Sequence, residues 1–171
     1  MNTDINIIEN FLSQEDFKVI QQTIYSSNIT WARGRIHSGY PLFHFCHHFY
    51  SGNGPISDYF GMLAPCLGRL RTLSLIRIKA NLLPRTDVRI INPLHTDVNK
   101  APQHCKTAIL YLNTNDGYTC FEDMSKVDSV ANRVVIFPTN LKHAGTTNTD
   151  KDIKDRCVIN FNYFELEREK E

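Results

Sequence analysis

No stretch of 18 consecutive apolar residues occurs in the chain, so nothing in it reads as a transmembrane helix. An excess of one charge sign is also missing: 19 Lys and Arg stand against 18 Asp and Glu, a formal net charge of +1. Proteins that hold nucleic acid or anionic membranes through bulk charge carry a basic excess, so neither partner is favoured. Met1-Asn2-Thr3-Asp4 has neither the basic nor the apolar region of a secretion signal. The five cysteines (Cys46, Cys66, Cys105, Cys120 and Cys157) form no CxxC pair and are odd in number. Reduced thiols packed as small hydrophobes are expected, and with them a cytoplasmic location. Internal repeats and linkers are absent too. What is present is ordinary for one domain: 171 residues, 42% hydrophobic and 22% charged, which is enough chain to bury a core without staples.

The first 71 residues read as helices with an intervening strand. Ser13 is a good N-cap, Asp16 places negative charge in the first turn, and Leu12 and Phe17 have the spacing of a hydrophobic staple. Phe17, Ile20 and Ile24 recur at helical spacing, which predicts a helix over about 14–26. Ile56, Phe60, Leu63, Leu67 and Leu70 keep the same period, and Pro65 inside it should kink or divide the helix. Between the two helices, Leu42 to Tyr50 reads as a strand with His44, Cys46 and His48 on one face. The other face then carries Phe43, Phe45, His47 and Phe49.

From about residue 72 the period changes to two. Ile76, Ile78 and Ala80 alternate with Arg77, Lys79 and Asn81, and shorter runs follow at 105–112, 118–122, 133–138 and 156–164. Turn residues such as Asn115-Asp116-Gly117 separate them. Many short strands with no helix between them predict an all-β sandwich or barrel.

Chemistry enters at Pro93-Leu94-His95-Thr96-Asp97. On a strand, residues two apart share a side, so His95 and Asp97 can reach one ion; a surface turn after Pro93 is the ordinary alternative. His143 follows the run ending at Pro138, and Arg156 opens the last strand. Two imidazoles and one carboxylate make a facial triad with three open positions on an octahedral Fe(II), as a bidentate 2-oxo acid plus dioxygen require. An arginine on a neighbouring strand can hold the far carboxylate of that acid through its planar, two-pronged head.

Over about residues 72–164 the sequence resembles the Fe(II)/2-oxoglutarate-dependent dioxygenases, especially the prolyl-4-hydroxylase-like branch. The resemblance implies a mainly β fold with flanking N-terminal helices and a double-stranded β-helix core of the jelly-roll, cupin-like kind. It implies iron ligation by His95, Asp97 and His143, with Arg156 on the 2-oxoglutarate C5-carboxylate. Tyr111-Leu112-Asn113 resembles a family element whose tyrosine touches that carboxylate, with Thr107 on the same face; Asn81 is a further candidate near 2-oxoglutarate or the substrate. Gly117-Tyr118-Thr119-Cys120-Phe121 matches the family's Gly-x-Thr-x-Phe segment. The implied activity is hydroxylation of an unactivated C–H bond, with Fe(II) as cofactor, 2-oxoglutarate and O2 as co-substrates, and succinate and carbon dioxide as co-products. A prolyl or other peptide side chain, a free amino acid or a small metabolite are the expected substrates.

Two other functions share this core. An AlkB-like nucleic-acid demethylase commonly has a second arginine six residues after the first, where this chain has Asn162. A non-catalytic jelly-roll binding module usually lacks a ligand or the arginine, and all four are here. The chain is expected to be a single domain over 1–171: a buttress at 1–71, the catalytic core at 72–164 and a charged tail at 165–171. The basic run from Arg69 to Arg89, which includes Arg77, Lys79 and Arg85, reads as a solvated face or as an entrance that attracts anions. The histidine-rich strand reads as plain structure or as the lining of a barrel mouth. Trp31, Arg33 and Arg35 read as packing or as a stacking surface.

Overall fold

The computed structural model describes residues 4–35, 43–98, 102 and 104–166. Helix α1 (Gln14–Ile24) starts at Ser13, whose Oγ accepts from the Asp16 N–H at 3.1 Å and donates to the Asp16 carboxylate at 2.7 Å. It buries Phe17, Ile20 and Ile24 and ends at Tyr25, slightly short of the expected end. Pro65 does divide the second helical pattern. A 3-10 turn (Phe60–Leu63) gives way to α2 (Ala64–Arg69) with the proline in its first turn, where its missing N–H leaves no bond unmade.

Eleven strands follow one another along the described chain: β1 (Asn6–Ile8), β2 (Ala32–Arg35), β3 (Phe43–Ser51), β4 (Gly54–Pro55), β5 (Thr72–Pro84), β6 (Cys105–Tyr111), β7 (Tyr118–Phe121), β8 (Lys126–Asp128), β9 (Val134–Pro138), β10 (His143–Gly145) and β11 (Asp155–Glu165). The larger sheet runs β1-β9-β6-β11-β5-β3-β2, with β4 on β3; the smaller runs β10-β7-β8. All pairings are antiparallel, as a sandwich built from alternating strands requires. The five expected strands of the second half are all present. Leu42, the expected start of β3, lies outside the described residues, as does the tail beyond Leu166. Glu165, expected in that tail, still belongs to β11 and pairs with Lys106.

The larger sheet is covered on both faces. Outward residues of β5, β6 and β11 (Ile78, Ala80, Leu110, Ile159, Phe161) meet Ile20 and Ile24 of α1 and Cys66 of α2 in one apolar layer. Inward residues Ile109, Tyr111, Val135, Phe137 and Val158 meet Phe121 and Val127 of the smaller sheet in another. Each large side chain buried this way contributes about 1.5–3 kcal/mol. The N-terminal residues are woven into this fold, because β1 pairs with β9 and β3 pairs with β5. No helix among the described residues is long and apolar enough to cross a membrane.

Asn132 ties the start of α1 to the core. Its side chain accepts from the Leu12 N–H and donates to the Leu12 carbonyl, both at 2.9 Å, from a backbone with φ of 62°. Asparagine tolerates that left-handed conformation and alanine does not. Asn132→Ala is therefore expected to lower stability by about 2–4 kcal/mol, read as a lower urea midpoint at unchanged slope.

Candidate active site

His95 and His143 face each other as an isolated antiparallel pair and exchange both backbone hydrogen bonds, each at 3.0 Å. That pairing fixes their side chains on one side, with ring centroids 4.9 Å apart. Asp97, two residues on from His95, joins them: the three side chains offer ligand atoms within 4.8 Å of one another, and His143 Nε2 is 3.8 Å from Asp97 Oδ2.

The tautomers follow from the neighbours. His95 Nδ1 lies 3.1 Å from the Pro93 carbonyl and His143 Nδ1 lies 3.2 Å from the Leu141 carbonyl. A carbonyl only accepts, so each Nδ1 carries a proton, as in the tautomer whose Nε2 is free for an ion. Burial holds the His143 pKa below the ordinary histidine value, despite the opposing pull of Asp97, so the neutral ring is favoured. Phe137 packs edge-on against it with centroids 4.8 Å apart.

Asp97 is held as firmly. Its Oδ1 accepts from Arg77 at 3.0 Å, and its Oδ2 accepts from Asn162 at 3.2 Å and Asn160 at 3.4 Å. Burial pushes this carboxyl up, but His143, Arg77 and the Asn162 hydrogen bond outweigh it and keep it below the usual carboxylate range. Two imidazoles and an ionised carboxylate can serve as the donor set of an open non-haem iron site.

The triad lies against a cavity of about 220 Å³ between the two sheets. Arg156 lies on the same cavity and is 2% exposed. Its Nε donates to Ser129 Oγ at 2.7 Å and its Nη2 to Thr119 Oγ1 at 3.0 Å, but no carboxylate pairs with it among the described residues. Burial alone pulls its pKa down, the cost of a guanidinium without a counter-ion. Two glycines make room for it. A Cβ on Gly145 would come within 3.0 Å of Nη1, and one on Gly117 within 2.8 Å of Cδ. The site is shaped to bring an anion to this cation.

Tyr111 supports this anchor and does not line the cavity. Its ring lies under the guanidinium at 5.5 Å, and its hydroxyl donates to Thr119 Oγ1 at 2.8 Å. Thr119 thus accepts from both Tyr111 and Arg156, which leaves its own O–H to donate into the cavity. Asn81 lines the cavity as well. Thr107 does not: its hydroxyl donates to Thr139 and accepts from Asn162, so it reaches Asp97 only through that asparagine.

The basic run divides. Arg77 and Lys79 face the cavity, Arg85 pairs with Asp87, Arg89 pairs with Asp116, and Arg69 lies over the Phe11 ring. Of the two readings of this run, a solvated face does not describe Arg77 and Lys79, whose side of β5 is turned to the cavity. On β3, His44 lines the cavity, while His47 bonds the Thr30 carbonyl and Ser57 and packs on Phe49. Trp31 packs at the edge of the core and Arg33 covers the Phe43 ring at 4.4 Å; the Arg35 side chain lies outside the described residues. Sequence reasoning missed Asn160, Asn162, Ser129 and Gly145. The signal available was the repeated polar-apolar alternation of β11, which marks a second, polar face.

No family model and no curated protein sequence matches this chain. Solved structures do. A prolyl hydroxylase from Trichoplax adhaerens, in complex with a hypoxia inducible factor oxygen degradation domain peptide fragment, aligns over 96% of this chain and 84% of its own, with a TM-score of 0.66 and 16% identity. A 2OG-Fe(II) oxygenase family oxidoreductase from Burkholderia pseudomallei aligns over 95% and 86%, with a TM-score of 0.68 and 9% identity. HygX from Streptomyces hygroscopicus, with nickel and 2-oxoglutarate bound, aligns over 96% and 84%, with a TM-score of 0.62 and 12% identity. At such identities the likeness is one of backbone, and it places this chain in the double-stranded β-helix fold of the 2OG-Fe(II) oxygenases.

Proposed function

We propose that this protein is an Fe(II)- and 2-oxoglutarate-dependent oxygenase that hydroxylates a C–H bond of a small molecule or a peptide side chain. The observation that carries the reading is the pairing, on one cavity, of a two-histidine, one-carboxylate cluster with a buried arginine that has no acid partner among the described residues. Each is costly alone, and together they match the two ends of a 2-oxo dicarboxylate.

His95, Asp97 and His143 would hold the metal from one side and leave its remaining positions open to the cavity. Arg77, Asn160 and Asn162 fix the Asp97 carboxylate, and the Pro93 and Leu141 carbonyls fix the two rings. Arg156 and the free Thr119 O–H would hold the far carboxylate of 2-oxoglutarate. When bound, metal and 2-oxo acid supply oxidative decarboxylation to succinate and carbon dioxide, coupled to oxygen insertion into the substrate. Leu83, Ile109 and Val158 form the apolar part of the cavity lining. A prolyl or other peptide side chain and a free amino acid or small metabolite are the substrate classes this reading admits. The Trichoplax relative holds a peptide fragment, whereas HygX has been solved with hygromycin B.

Anaerobic titration of the protein with Fe(II) and 2-oxoglutarate is expected to produce the visible metal-to-ligand charge-transfer band. His143→Ala should abolish it; a band of wild-type strength in that variant would remove His143 from the metal. Arg156→Ala should keep metal binding and raise the half-saturating 2-oxoglutarate concentration by about tenfold to a hundredfold, the worth of a charged hydrogen-bond pair. Gly145→Ala, which crowds Nη1 without removing it, should weaken 2-oxoglutarate binding by a smaller factor at unchanged metal binding, seen in the same titration.

A further inference from the structure

Among the described residues, three cationic side chains reach the cavity: Arg77, Lys79 and Arg156. Arg77 is committed to Asp97. Arg156 awaits the co-substrate carboxylate proposed above. Lys79 is left over: its ammonium makes no hydrogen bond or ion pair with any described residue, and Asp97 is the one carboxylate on the cavity.

The strand register fixes where this amine sits. Lys79 lies opposite Asn160 of β11 on one side and His48 of β3 on the other, in the row between Arg77 and Asn81. It is therefore on the β3 side of the β11 track that joins the triad to Arg156. His44 lies on the same β3 side, its ring laid against Gly34, where a Cβ would approach it within 3.0 Å. His44 Nδ1 and Asn160 Oδ1 are both buried without a partner. Burial, with help from Lys79 and His48, pushes the His44 pKa down to about 4, so this ring is neutral and adds no positive charge.

The charge count then points to the ligand. A metal dication and a dicarboxylate co-substrate cancel each other, so the cavity's own surplus of cations over Asp97 persists after both are bound. A half-buried cation without a counter-ion is costly, and one more anion lessens the cost. Resting on the function proposed above, we infer that the primary substrate is a small acid whose anionic group, a carboxylate or a phosphate, pairs with Lys79. Asn81 and His44 provide neutral polar contacts beside it. A small acid with no cationic group satisfies this arrangement fully and a free amino acid satisfies it through its carboxylate alone, whereas a prolyl side chain inside a peptide leaves the amine unpaired. Lys79 acts here as a specificity-determining residue.

The test uses the intact protein with Fe(II) and 2-oxoglutarate, and succinate formation as the readout. The probes are the free L-amino acids, simple hydroxy acids and phosphomonoesters, each beside its neutral carboxamide or alcohol. At least one acid is expected to stimulate succinate formation about tenfold more effectively than its neutral counterpart. Lys79→Gln should raise the concentration of that acid needed for half-stimulation by about tenfold, and Lys79→Arg should recover part of the loss. The 2-oxoglutarate concentration that half-saturates the charge-transfer band should stay within about twofold in both variants. Stimulation by carboxylic acids alone assigns a carboxylate, and stimulation by phosphomonoesters alone assigns a phosphate. The inference is overturned if no acid stimulates, if the neutral counterparts do as well, or if Lys79→Gln leaves half-stimulation unchanged. A Lys79→Gln protein that instead loses 2-oxoglutarate affinity puts the amine on the co-substrate and overturns it too. If the wild-type band forms while the acids fail, the substrate class alone falls; if the band never forms, the oxygenase reading falls and takes this one with it.

Discussion

Strand β11 is buried on both faces, and the two faces have opposite chemistry. Cys157, Ile159, Phe161 and Tyr163 turn outward to the helices, while Arg156, Val158 and Asn160 turn inward to the cavity and Asn162 turns inward to Asp97. A buried apolar face stabilises the strand by itself; a buried polar face must be satisfied group by group. That requirement organises the site. Asn162 spans Arg77, Asp97 and Thr107, and Arg156 takes Ser129 and Thr119. The sheet therefore separates a layer that supplies stability from a layer that supplies chemistry, and its central strand serves both.

Electrostatics in the inner layer are left deliberately incomplete. Asp97 is compensated from three sides, which keeps it ionised in an environment that would otherwise favour its neutral form. Arg156 receives only hydroxyl oxygens, which orient the guanidinium but do not neutralise it. Orientation without neutralisation is what a binding cation requires: the geometry is set in advance and the missing charge arrives with the ligand.

Much of this architecture is written locally in the chain. The Ser13 cap, the proline-split second helix and the five strands of the second half rest on short-range rules of period and turn chemistry, and they stand where those rules put them. His95, Asp97, His143 and Arg156 were legible because their residue types are rare in that combination and their order carries meaning. Alternation, however, states which side of a strand is polar and is silent on whether that side meets water or a cavity. Arg77 and Lys79 read as a solvated face or an anion-attracting entrance for that reason, and Asn160 and Asn162 went unread. Thr107 and Tyr111 share the inward face of β6, yet Thr107 falls at the Asp97 end and Tyr111 under the arginine, a separation set by cross-strand register. The three-residue strands β1 and β8 and the four-residue β2 are too short for any period to show, and they exist because neighbouring strands offer them unpaired edges.

The reciprocal backbone pair between His95 and His143 has a mechanical meaning. His95 and Asp97 ride on one segment, which is joined to β10 and its continuation by isolated bridges at Ile91–Thr146 and His95–His143. Peeling that segment away would withdraw two of three ligands together, leaving His143 alone on the sheet. Ion affinity and segment order are thus one quantity seen from two ends: whatever free energy the docked segment lends to the ion, the ion returns to the docking. A metal held there would be a clasp as well as a reagent, and the strap it closed would form one wall of the cavity.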